Sequence, residues 1–396
     1  MSTGWSTTRL IGVVVVIVTA AFDSRPAQDW VPFQVAARVA TTGQLSSIYL
    51  TPSAINLFDV PTSYREATGT SIENLTAFVA PPPAAFALVP LRHVSWQTSL
   101  TAWRLALAIP LVVSILWFAA TLSLRDPRGA QRWSWIALAS APLLGFVVHA
   151  GQPSAWLFLA AAVSVFPSTA VRDTAGGIAL GLGVLFKATP LIAVGLLWMA
   201  GRRRLATIAL AVTAIGAVGS ISVAGFDPWF SFFAASRRLA SVVVTEWHNA
   251  SLDAAVLMLT TGADGMFHEP TALSWTLGQL CRIVIIGMAV RLAFRSSETR
   301  ERRAAAAWLG WLAATPLLWF HYLVVLVPIL GVVPARRFGP GLILIGVVSA
   351  LVVLRSTGWE SDLGPLVLCA VWLASAAWLL SNMTKTKNVP TSPSLR

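Results

Sequence analysis

The feature that most limits what this chain can fold into is a series of long apolar runs punctuated by short arginine clusters. Runs at 100–124, 205–224, 271–294, 338–354 and 364–381 approach or exceed the roughly 18 to 20 apolar residues that span a hydrocarbon layer. At that depth a helix satisfies its own backbone, so the pattern predicts an all-α polytopic membrane protein. Only 11% of residues are charged against 56% hydrophobic, outside the soluble range. The net charge of +12 sits in clusters between apolar runs. It therefore reads as a set of topology determinants, and no nucleic-acid surface is expected. Cys281 and Cys369 both fall inside apolar runs, so neither a disulfide framework nor a cysteine metal site is implied. The first run, RLIGVVVVIVTAAFD, has Arg9 in front of it but no A-x-A cleavage site, and is expected to be an uncleaved first span.

Placing the basic clusters on the cytoplasmic side restricts the path of the chain. The clusters are 124–132, 171–173, 201–204, 295–303, 335–337 and a tail carrying Lys385 and Lys387. Neighbouring clusters must enclose an even number of crossings. The two apolar pieces between Arg132 and Arg172, joined at HAGQPS, form an out-and-back hairpin with residues 149–154 outside. Between Arg172 and Arg202 a tight hairpin must break at Lys187-Ala-Thr-Pro190, because proline cannot continue the hydrogen-bond ladder. A mid-span lysine is costly unless it faces water or an anion. The same parity places His321 outside. About 12 hydrophobic helical segments result, forming one domain over 1–381. Outer loop regions cover about 23–99 and 225–270, and both termini are cytoplasmic, with 382–396 a disordered tail. The stretch 228–240 suits a helix lying flat at the interface.

On this map the unusual polar residues gather on the outer face. They are Asp29 after the first span, His149 and Gln152 at one apex, Lys187 at another, His248 and Asn249 in the second outer loop, and His321 at a third apex. Ionisable groups at the membrane edge commonly serve a site. Each also has a plain structural reading. Asp29 fits a helix N-cap, Lys187 can snorkel, Gln152 can close a turn, and His321 can be an interface residue with a backbone partner. Arg92, His93, Arg237 and Arg238 suit solvent or lipid headgroups. A carboxylate with a lysine and histidines fits base-assisted attack on a phosphate-bearing donor. No H-E-x-x-H pattern, acidic cluster or Gly-rich phosphate loop is present, so no metal, cofactor or cytoplasmic nucleotide is expected.

Six features in order carry a family resemblance: Asp29 with Gly43 and Tyr49, FVAPPPAAFALVPL, GQPS, KATP, NASL and HY. From about residue 8 to 335 the chain resembles glycosyltransferase family 87 of the GT-C superfamily, which includes polyprenyl-phosphate-mannose-dependent mannosyltransferases of actinobacteria. The resemblance implies a GT-C-type fold and a multi-pass plasma-membrane enzyme. Such an enzyme takes sugar from a polyprenyl phosphate outside the membrane and passes it to a glycolipid or polysaccharide acceptor. It makes Asp29 the general base, inverting a β-linked donor to an α-glycoside, and puts His321 near the base and donor phosphate. Lys187 then serves the donor phosphate or the cavity, while Gln152, His149, His248, Asn249, Arg237 and Arg238 are candidates for substrate contact. Two departures bear on sugar and acceptor recognition: Phe78-Val79-Ala80-Pro81-Pro82 lacks the usual aromatic before the proline pair, and Ser154 stands where the G-Q turn commonly continues to Asn. Retention of GQ and HY favours mannose over arabinofuranose. Tyr49 suits packing or loop anchoring better than catalysis. The other class considered, a transporter or flippase of lipid-linked sugars, would show inverted repeats and polar groups near the midplane, whereas here the polar apices lie toward one face.

Overall fold

A computed structural model of the protein describes residues 3–25, 27, 29–68, 76–124, 127–246, 249–262, 267–295, 298–331, 338–356, 366–371, 373–374 and 377. Among them the chain is helical, with isolated bridges at Tyr49–Phe78, Val243–His268 and Asn249–Trp319. The helices are α1 (Thr3–Ala21), α2 (Val31–Val39), α3 (Thr62–Thr68), α4 (Pro82–Ala87), α5 (Trp96–Ser123), α6 (Pro127–His149), α7 (Ser154–Ser164), α8 (Ala170–Phe186), α9 (Leu191–Met199), α10 (Arg203–Ala224), α11 (Asp227–Ala240), α12 (Leu252–Thr261), α13 (Ala272–Phe294), α14 (Arg300–Ala314), α15 (Leu326–Gly331) and α16 (Phe338–Ser356). Three-residue-turn helices at Leu45–Ile48, Val89–Leu91 and Phe320–Val325 complete the set.

Specific contacts fix which helix ends lie together. At one end, here the base, the Arg9 guanidinium stacks 3.7 Å from the Trp135 ring, and Arg202 donates to the Phe166 carbonyl. Arg202 also lies 3.9 Å from both Asp173 and Glu301, and Trp308 Nε1 donates to Ser164 Oγ at 2.9 Å. The starts of α1, α6, α8, α10 and α14 therefore share the base with the end of α7. At the other end, here the site end, His149 Nδ1 lies 3.3 Å from Asp23. Leu318 N donates to Asn249 Oδ1 at 3.1 Å there. Arg104, fully buried near the start of α5, donates to the carbonyls of Asp23, Arg25 and His149. It ties the exit of α1 to the exit of α6.

The hairpin expected at Lys187 is visible in the packing. A Cβ on Gly177 would meet Leu205 and Ile208, one on Gly181 would meet Ala209 and Val212, and Gly216 lies against Leu185. Positions on α8 and α10 thus advance together, so these helices are parallel and α9 is the return stroke between them. The glycines remove side-chain bulk at the contact and let two backbones approach closely.

Among the described residues three helices, α5, α10 and α13, are long and apolar enough to cross a membrane by length and composition. The other expected segments are shorter, are interrupted or, like the 23-residue α6, are less apolar. α7 and α9 have 11 and 9 residues, about 16 and 14 Å at 1.5 Å per residue. Nearly all of α7 and residues 304–313 of α14 are buried. α7 is thus surrounded by protein, where hydrocarbon length does not apply, whereas α9 buries one face and leaves Leu191, Ile192 and Trp198 exposed. The longer helices instead present Ile215, Val218, Val223, Ile283 and Val284 outward. α11 forms as expected over 228–240, with Phe230 and Phe233 exposed and Phe232 buried, the division an interfacial helix requires. Half of the 364–381 run and the whole 382–396 tail lie outside the described residues.

Candidate active site

At the site end three chain segments meet around Asp29. The first comes from α6, which ends in a Schellman turn. Gly151 N donates to the Val148 carbonyl and Gln152 N to the Val147 carbonyl, with Gly151 at φ +76°, the left-handed conformation that favours glycine. This turn swings Gln152 back over the bundle, where its Nε2 donates to Asp29 Oδ2. The Gln152 side chain therefore bonds the acid, and backbone groups close the turn. Asp29 is not a helix cap either: Trp30 occupies the N-cap of α2 and no side chain caps it.

The second segment is the α8–α9 break. Lys187 leaves the helix with φ −147° and ψ 114°, and Pro190 restarts α9 at φ −62°. The ammonium of Lys187 lies within electrostatic reach of the Asp29 carboxylate. The third is the turn after α14, where the charge of Asp29 also acts on Tyr322. Tyr322 was not singled out from the sequence as a site residue, and its only signal there is its place in the HY pair.

Beneath the carboxylate lies an aromatic floor. Trp30 stacks on Trp103 with ring centres 5.1 Å apart, and Trp103 packs on Phe186 at 5.0 Å and Trp156 at 5.4 Å. Trp103 Nε1 donates to the Gly151 carbonyl at 2.8 Å. The floor thus pins both the Asp29 segment and the Gln152 turn. Trp30 Nε1 donates to Gln34 Oε1 at 3.2 Å. Around the same segments Gln34 Nε2, Gln152 Oε1, Ser154 Oγ and Thr189 Oγ1 are buried without a protein partner. Unsatisfied buried polar atoms are costly unless a polar molecule meets them. Their number on these neighbouring segments marks a place suited to a ligand rich in hydroxyl groups.

The remaining candidates lie in other settings. His149 faces Asp23, whose carboxyl the bonded Arg25 guanidinium holds well below the usual carboxylate range. Asn249 is fully buried and clamps backbone, with Nδ2 donating to Val244 O and Oδ1 accepting from Ser251 N and Leu318 N. Arg238 Nε donates to Ala54 O at 3.0 Å, fastening α11 to the early loop, and Arg237 is exposed. His321 is buried against the Phe320 and Tyr322 rings, and His248 lies outside the described residues. Tyr49 donates to the Ala80 carbonyl at 3.1 Å, and burial pushes its phenol well above its ordinary range. It anchors the early loop to the proline-rich segment. Among the described residues no three His, Cys, Asp or Glu side chains gather as a metal site.

An all-helical bundle of membrane character, with a carboxylate, an amide and an ammonium at one end over an aromatic floor, is the class of protein these features define. The model of glycosyltransferase family 87 matches residues 78–318, more than half of the chain, and the chain belongs to that family. It is therefore a glycosyltransferase. The matched stretch contains Gln152, Lys187 and Asn249, while Asp29 and the HY pair flank it. Two solved structures are similar. ArnT from Cupriavidus metallidurans in the apo state aligns at TM-score 0.43 and 14% identity, covering 96% of this chain and 76% of that one. The form bound to undecaprenyl phosphate aligns at TM-score 0.38 and 15% identity, covering 96% and 77%. Comparison with curated protein sequences gives no match.

Proposed function

We propose that the protein transfers mannose from a polyprenyl phosphate to a glycolipid or lipoglycan acceptor at the outer face of the plasma membrane, with Asp29 as general base. Family membership supports glycosyl transfer, and the observation that carries the residue assignment is the Gln152 amide held on the Asp29 carboxylate. An amide donor on one oxygen fixes the direction of the carboxylate, as a positioned general base requires. In the reaction, Asp29 accepts the proton of an acceptor hydroxyl as that oxygen bonds to the anomeric carbon. The bond from that carbon to the donor phosphate oxygen breaks, and its electron pair leaves with the polyprenyl phosphate. Lys187, close to Asp29 without replacing Gln152 on it, balances the charge that develops on the phosphate. The unpartnered atoms of Gln34, Gln152, Ser154 and Thr189 meet sugar hydroxyls. This scheme draws on no metal or cofactor.

The test is transfer from polyprenyl phosphomannose to a mannoside acceptor by purified protein in lipid. Asp29→Asn preserves shape and the possibility of a bond to Gln152 but cannot take the proton. It is expected to lower kcat by about 10²-fold to 10⁴-fold with an unchanged elution profile. Full turnover by that variant would remove Asp29 as the base. Transfer of another sugar with mannose refused would correct the donor and leave the base in place.

A further inference from the structure

One buried cation at the site end has no place in the scheme above. Arg104, in the third turn of α5, is fully buried, and among the described residues no carboxylate takes its donors. The acid whose charge reaches it, Asp23, is bonded to Arg25 at 2.6 Å. The Arg104 guanidinium closes on backbone. Nε donates to the His149 carbonyl at 2.9 Å, Nη2 donates to the same carbonyl and to that of Arg25 at 3.1 Å, and Nη1 donates to that of Asp23. A rigid planar fork is thus spent on two chain segments, the exit of α1 and the exit of α6. Arg25 comes four residues before Asp29, and His149 three before Gln152. Trp103, the preceding residue on α5, holds the same two segments further along, by stacking on Trp30 at 5.1 Å and by the 2.8 Å bond to the Gly151 carbonyl.

Asp29 and Gln152 stand 123 residues apart and are joined by a side-chain bond. That bond can orient the carboxylate only if the two backbones carrying it are already in register, and a misplacement of about 1 Å at reacting groups can cost about 10²-fold in rate. Two consecutive residues of one helix set the register here. Trp103 acts by ring packing and a single bond, whereas Arg104 reaches both segments with one group. A lysine at this position would keep the charge, but its single nitrogen cannot reproduce a fork that spans two segments. The carbonyls it left unbonded would be buried without a donor, and the exits would shift to find other partners. We infer that Arg104 is a positioning residue for the transfer reaction. Sealed from substrate by its burial, it acts by holding the exits of α1 and α6 at the separation that lets Gln152 orient the Asp29 carboxylate. The assignment rests on the transferase reading above.

Turnover of polyprenyl phosphomannose with a mannoside acceptor is measured for the full chain in lipid nanodiscs, as wild type, Arg104→Lys, Arg104→Gln, Gln152→Ala and the Arg104→Lys/Gln152→Ala double variant. Arg104→Lys and Arg104→Gln are each expected to lower kcat by about 10-fold to 10²-fold, with donor and acceptor KM within about twofold of wild type. Rescue of turnover by lysine alone would assign the role to charge and overturn the proposal. Because Arg104 acts through Gln152, the double variant should turn over within about twofold of the slower single variant, whereas independent losses multiply. Multiplied losses overturn the proposal, as do variants with wild-type kcat and only a lower melting temperature. Hydrogen exchange reads the clamp without turnover. In both Arg104 variants residues 22–34 and 146–156 should exchange faster, while residues 164–173 and 200–206 at the base keep wild-type protection. Unchanged exchange at the two exits, or faster exchange that extends to the base, overturns the clamp. Full turnover by Asp29→Asn would fault the base instead, and the exchange result would then decide the clamp. Full turnover by Gln152→Ala would remove the group through which Arg104 acts and overturn the proposal.

Discussion

Gly151 holds two parts of the candidate site in register. Its φ of +76° completes the turn that aims Gln152 at Asp29. A Cβ there would also lie 3.3 Å from the Trp103 ring and 3.6 Å from Trp30 Cβ. Gly151→Ala therefore meets two penalties, a left-handed backbone costing about 1 to 2 kcal/mol and crowding against the aromatic floor. Thermal unfolding should show a loss of about that size, and kcat should fall more than stability alone explains because Gln152 moves off Asp29. Activity at the wild-type level would separate the turn from the site. At this scale Asp29, Gln152 and Lys187 were legible because two of them sit in local chain punctuation, a G-Q turn and a K-x-x-P break. Arg104 was not, since its three carbonyl partners lie 45 to 81 residues away and only packing brings them together. Tyr322 was missed for the same reason.

Among the elements, the α8–α10 pair carries the position of Lys187. A Cβ at Gly177 would come 2.7 Å from the Leu205 carbonyl oxygen, and one at Gly181 would come 2.6 Å from Val212 Cβ, so backbone and branched side chain leave no room. Gly181→Leu is expected to cost about 2 to 3 kcal/mol by overpacking and to weaken transfer by shifting the end of α8. Gly219 on α10 has open space around it and is exposed, so Gly219→Leu should change stability by less than about 0.5 kcal/mol. Melting temperatures of the two variants in one detergent decide the matter, and equal losses would contradict the close parallel packing. The break at Pro190 was readable because proline acts within one turn. The parallel pairing was not, because a glycine in an apolar run carries no sign of which helix it will touch.

Across the whole molecule, the parity of the arginine clusters anticipated the alternation of strokes, and Arg202 beside Phe166, Asp173 and Glu301 is the geometric counterpart of that rule. Length was the part that parity could not supply. A buried stroke such as α7 needs only to reach its neighbours, whereas α10 and α13 carry exposed apolar residues along their length. This arrangement makes the two ends of α9 a test of sidedness. Ala188, at the turn before α9, and Arg203, after it, are both exposed. In a Cys281→Ser background, since Cys281 is exposed and Cys369 buried, Ala188→Cys should react with an impermeant maleimide added to intact cells. Arg203→Cys should react only after the membrane is opened. Labelling of both from one side would break the out-and-back stroke of α9 and with it the shared end of Asp29, Gln152 and Lys187. The reverse pattern would keep the bundle but turn the candidate site to the cytoplasm. Transfer from a donor presented at the outer face would then be excluded, because Asp29 and Lys187 would lie a full membrane thickness from it.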